Sequence, residues 1–127
     1  MATIKSYTDI NQSNKLAEIL PLESADMTYR PIMDIDSMSN SGFLDTPDCY
    51  PFNDFKNSII KPLPCWSLAA LFNILPNGTD IVKEEADTEN EKYMCTVLVK
   101  DSLVTTFANN PIDVCVELII KLYLRKI

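Results

Sequence analysis

The strongest constraint on the fold is a change of period at residue 110. Upstream, YMCTVLVKDSLVTTFA alternates: Tyr93, Cys95, Val97 and Val99 point one way and Met94, Thr96 and Leu98 the other, in a run rich in β-branched residues. Lys100–Asp101 breaks the run, so the spacing predicts two antiparallel strands, the second returning over Leu103 to Phe107. Downstream, NNPIDVCVELIIKLYLRKI predicts a helix. Asn110 suits the N-cap, Pro111 the first helical position and Asp113 the first turn, while Lys121, Arg125 and Lys126 suit the other end of the dipole. Glu117 stands four before Lys121, a favourable pair.

Asp113, Glu117, Lys121 and Arg125 form one narrow polar strip on that helix. Ile112, Cys115, Val116, Leu118, Ile119, Ile120, Leu122 and Tyr123 cover about 200° of the rest at ~100° per residue. A surface helix normally hides less. Part of the face packs on the strands. Val116, Ile120 and Tyr123 are where a further cover is expected, either residues 43–60 of the same chain or a second subunit.

Before this unit, LPCWSLAALFNILP predicts a helix that starts at Trp66 or Ser67 and stops at Pro76, with Leu68, Leu71, Phe72 and Leu75 facing the sheet. PNGT is a turn and DIVK a short strand. The expectation is an α-β-β-β-α core over residues 64–126, with both helices on one face of a small antiparallel sheet, an α+β fold in a single domain spanning 1–127. Residues 1–35 hold an N-terminal helix, capped by Thr8 or Asp9 with Gln12 at capping-box spacing, lined by Leu16, Ile19 and Leu20 and ended by Pro21. A possible edge strand around Met27 to Met33, interrupted at Pro31, follows. Residues 36–62 keep no period yet carry Phe43, Tyr50, Phe52 and Phe55, which predicts an irregular segment wrapped over the core of 63–127 and pinned by its aromatics.

Composition excludes more than it names. The chain has no histidine, so the commonest general base, zinc ligand and pH switch are missing. Two glycines cannot build a phosphate-cradling loop. A net charge of -7 without a basic cluster disfavours nucleic acid and anionic membranes. Four separated cysteines form neither a disulfide framework nor a metal knuckle, and the start lacks an apolar signal region. The expectation is a cytoplasmic protein with no cofactor and no metal.

The candidate residues divide between bland and sharp readings. Trp66 is either a core anchor at a helix entrance or a pocket wall and partner hot spot. Glu84, Glu85, Asp87, Glu89 and Glu91 form a solvated loop or contact a basic partner. Asp34 and Asp36 offer oxygens to a hard cation but no third ligand is evident. Cys65, just before a helix, is the one thiol with an argument for activation.

The order α-β-β-β-α resembles the double-stranded-RNA-binding domain in topology alone. That family's lysines at the start of its last helix are replaced here by Asn110, Pro111, Ile112, Asp113 and Val114, so RNA binding is not implied. In text, YTDINQSNKLAEILPLESADM, LPCWSLAALFNILP and ANNPIDVCVELIIKLY resemble blocks from a family of small uncharacterised proteins of gut Bacteroidales genomes and their phages or mobile elements. That resemblance implies a setting and no mechanism. The expected function is a non-enzymatic interaction or accessory protein of phage or mobile-element origin, binding a protein partner or a second copy of itself. The alternatives are an acidic mimic that occupies a host nucleic-acid-binding site, and a small enzyme using carboxylate chemistry at Asp34 and Asp36 or other acids.

Overall fold

The structure is a computed structural model that describes residues 5–34, 39–43, 46–49, 62–83 and 93–125, with no account of the side chains of 31–43. Its C-terminal part follows the period change. Strands β5 (Asp80–Lys83), β6 (Tyr93–Val99) and β7 (Ser102–Ala108) form an antiparallel sheet in that order. Lys100 and Asp101 turn the hairpin with φ of 49° and 66°, the left-handed pair that a two-residue turn needs to match the strand twist. Cys95, Val97, Val104, Thr106 and Ala108 face inward, where helix α3 (Pro111–Arg125) lies against β6 and β7.

The start of α3 is fixed by local chemistry. Asn110 Oδ1 accepts the Asp113 N–H at 2.9 Å, and Asn110 Nδ2 donates to Asp113 Oδ2 at 2.7 Å. Thr106 Oγ1 donates to the Val114 carbonyl at 3.0 Å, tying β7 to the first turn. Helix α2 (Leu68–Ile74) is capped by Ser67, whose Oγ accepts the Ala70 N–H at 3.2 Å, and ends at Leu75 just before Pro76. The order α2-β5-β6-β7-α3 is the expected α+β unit.

Helix α2 makes its main contacts with α3, and α3 in turn lies on β6 and β7. One expectation about α2 is corrected. Leu71 and Leu75 are buried and Ile74 is half-buried, while Phe72 is exposed. The inward face of α2 therefore runs Leu68, Leu71, Ile74 and Leu75. A seven-residue helix lying on a neighbouring helix hides a narrow stripe, and Phe72 falls outside it.

The N-terminal part is joined by hydrogen bonds across long separations. Helix α1 (Ile10–Ala17) opens with the full capping box, Asp9 Oδ1 accepting from Gln12 N at 2.8 Å and Gln12 Oε1 from Asp9 N at 3.1 Å. It ends at Ala17, four residues ahead of Pro21, with the Leu20 N–H still bonded to the Leu16 carbonyl. A 3₁₀ turn (Leu22–Ser24) leads into β1 (Met27–Tyr29), which pairs with β4 (Leu63–Cys65). The strand expected across Pro31 is two strands. Arg30 separates β1 from β2 (Pro31–Asp34), which pairs with β3 (Ser39–Phe43), and Pro31 takes the first position of its strand.

Residues 39–43, expected to be irregular, are thus a strand. Farther along, Asp48 exchanges backbone bonds with Thr28 at 2.8 and 3.0 Å and its carboxylate meets Arg30. The described ties of the 36–62 segment are the β2–β3 pairing and this polar bridge. The side chain of Phe43 and residues 50–61, where the aromatic pins were expected, lie outside the described part.

Candidate functional site

Trp66 is fully buried in this chain, as a core anchor is. What it anchors is the N-terminal segment. Its N–H donates to Thr8 Oγ1 at 3.1 Å, its carbonyl accepts from Thr8 N at 2.9 Å, and its indole Nε1–H donates to Ser24 Oγ at 3.0 Å. Thr8 is buried as well and gathers further partners. Ser13 Oγ lies 2.8 Å from its hydroxyl, and Tyr29 donates to its carbonyl at 2.8 Å. Next to Trp66, Asp26 accepts from both the N–H and the hydroxyl of Ser67, which sets the cap of α2. The sequence gives no hint of this, because Thr8 and Trp66 are 58 positions apart.

Val116, where a further cover was expected, is buried in the chain's own core. Ile120 is half-buried against that core, and Tyr123 alone of the set is exposed. The wide apolar face of α3 is therefore consumed mostly by its own chain. Even Val114, which the wheel places on the polar strip, is buried. The first turn there is covered by α1: Gln12 Nε2 and Lys5 Nζ reach Asp113 Oδ1 at 2.6 and 2.9 Å.

Among the described residues, exposed apolar side chains gather on the outer face of the sheet, with Leu22, Phe72, Tyr123 and Leu124 exposed elsewhere. Leu98 is 64% exposed, Leu103 68%, Phe107 45% and Val82 40%. Register aligns them: Val82, Met94 and Phe107 form one row across the three strands, and Leu98 stands opposite Leu103. Between the rows, Thr96 and Thr105 pair their hydroxyls at 2.9 Å. The solvent face of an antiparallel sheet is ordinarily polar. Here two apolar rows stand on it, separated by the Asp80–Thr96–Thr105 row. The sequence carried this in the apolar members of both strand faces, yet alternation alone cannot say which face is inside.

A polar pocket of about 380 Å³ lies where α1 meets α3, lined in part by Gln12, Asn109, Asp113 and Glu117. Burial opposes ionisation of Asp113, but hydrogen bonds from Lys5, Gln12 and Asn110 outweigh it and hold its carboxyl below the ordinary value. Burial and the neighbouring Asp113 charge push Glu117 the other way. Two carboxyls driven apart can divide acid and base roles. Glu117, however, stands exposed to water, where its proton exchanges with solvent.

Comparison with protein-family models, with curated proteins and with solved structures gives no match. The functional reading therefore rests on this chain's own geometry.

The remaining candidates contribute little to it. Cys65 is fully buried, and that burial pushes its thiol up to about 11, which corrects the nucleophile reading: at neutral pH it is a thiol. Cys95 and Cys115 are buried and share a hydrogen bond that lowers Cys95 and raises Cys115. Glu84, Glu85, Asp87, Glu89 and Glu91 lie outside the described residues, as do Asp36 and the side chain of Asp34. Among the described residues no three His, Cys, Asp or Glu side chains gather as a metal site, and no helix is long and apolar enough to cross a membrane.

Proposed function

We propose that this chain is a non-enzymatic, cytoplasmic protein-interaction or accessory protein of phage or mobile-element origin, and that its contact surface is the outer face of the β5-β6-β7 sheet. The observation that carries the reading is the exposure of Leu98, Leu103, Phe107 and Val82 in one registered patch. Aligned apolar rows of this kind gain free energy when covered, and between them Thr96 and Thr105 already bond to each other. The mobile-element setting draws on the sequence blocks alone.

The test is light-scattering mass over a range of concentrations, joined to pull-down from a host lysate, for the native chain and for Leu98→Lys with Leu103→Glu. The native chain is expected to self-associate or capture a partner, and the substituted chain to do neither. A native chain that is strictly monomeric and captures nothing would sink the reading.

A further inference from the structure

A separate cleft of about 440 Å³ opens where the ends of all three helices converge. Leu20 comes from the exit of α1, Leu75 from the exit of α2, and Ile119 and Leu122 from the last turns of α3, while the β6–β7 turn closes one side at Lys100. The size falls within the range of small-molecule sites, and the lining is mainly apolar, as such sites are.

Its charge is unlike that of the chain. Acids outnumber bases 18 to 11 overall, yet the two charged groups among the described residues lining this cleft are Lys100 and Arg125. Helix C-termini carry partial negative charge of about -0.5 each. Part of that is already answered within the chain. The Leu71 carbonyl accepts from Leu75 N, and the Leu16 carbonyl from Leu20 N. Lys100 and Arg125 stand against what remains as the full charges of the lining. One of them sits at a conformational cost, since Lys100 holds a left-handed φ of 49° that Asn or Gly adopts more readily.

We propose that this cleft binds a small amphiphile with an apolar body and one carboxylate head, the class of medium-chain carboxylic acids. The head meets Lys100 and Arg125, and the body lies on Leu75, Ile119 and Leu122. A neutral apolar ligand leaves both cations unmatched, a cationic one is repelled, and a polyanion finds too few contacts. This site is independent of the outer sheet face, so either assignment can fail without the other.

The experiment is calorimetric titration with decanoate, decanol and decylamine below their micellar concentrations, with amide chemical-shift mapping. It compares the native chain, Arg125→Gln, and Lys100→Asn combined with Arg125→Gln. Asn suits the turn and Arg125 is exposed, so the fold is retained. Decanoate is expected to bind one-to-one, shifting Leu75, Ile119 and Leu122. Its affinity should fall about ten-fold or more in the double variant and less in the single one, as loss of charge-assisted contacts implies. Decanol should bind weakly and equally to all three proteins, and decylamine not at all. Absence of saturable decanoate binding overturns the proposal. So does unchanged affinity in the double variant, or shifts confined to Leu98, Leu103 and Phe107.

Discussion

The N-terminal clamp and the C-terminal hairpin–helix unit are held by different physics. Around Trp66 the joints are directional: Thr8, Ser13, Ser24, Asp26 and Tyr29 are fixed by hydrogen bonds between distant positions. In β6, β7 and α3 the joints are apolar contacts among Cys95, Val97, Val104, Ile112, Cys115 and Leu118, made by residues near one another in the chain. A directional joint fails when one partner is lost, because the other is left buried without a bond. An apolar joint loses in proportion to the atoms removed.

The largest expected effect falls on the clamp. Trp66→Ala should cost about 3–5 kcal/mol through its cavity, measured by urea unfolding. Leu118→Ala in the hairpin–helix unit should cost about 2–5 kcal/mol by the same mechanism, since Leu118 and Trp66 belong to one apolar cluster. The hydroxyl pair separates the two regions. Thr8→Val leaves the buried Trp66 N–H without its acceptor and should cost about 1–3 kcal/mol. Thr106→Val removes a bond from the Val114 carbonyl, which keeps its partner within the helix, and should cost well under half as much. Equal costs for the two valines would break the contrast.

A smaller effect appears with pH. Asp113 ionises more readily in the folded chain than in the unfolded one. Its contribution is therefore complete above the unfolded value near 3.9 and is lost as pH falls through the lower folded value. Lys5 is the mirror case: burial opposes its cation, but Asp9 and Asp113 outweigh it and raise its pKa. Its contribution is complete below the unfolded value near 10.4 and is lost as pH rises through the folded one. Asp113→Asn should flatten the acid limb of the stability curve below about pH 4. An acid limb of undiminished slope would show that the joint of Lys5 with Asp113 of α3 contributes nothing. The smallest effect is a gain: Asp101→Gly, at φ 66°, should stabilise by less than about 1 kcal/mol, because relief of about 1–2 kcal/mol of left-handed strain outweighs the added unfolded-state entropy.

This contrast also explains which parts were legible in the sequence. The hairpin and α3 are coded by neighbours: alternation across 93–108, Asn110 and Pro111 at the helix entrance, Asp113 in its first turn. The caps at Asp9 and Ser67 are equally local. The clamp was not legible, because nothing in the residues around Thr8 names Trp66. The β2–β3 ladder was missed because Ser39, Asn40, Ser41 and Gly42 carry no strand preference, so pairing rather than propensity makes them a strand. The outer sheet face was missed because both faces of the strands are apolar. The cleft was missed because three helix exits meet only in space.

Thr8 has one more consequence, for the order of events at synthesis. Its partners Tyr29, Cys65 and Trp66 lie 21, 57 and 58 positions downstream. A chain growing from its N-terminus therefore carries an incomplete set of bonds at Thr8 until Trp66 has emerged, and a 58-position loop must close before that set is whole. The hairpin–helix unit, made last, needs only short loops to form.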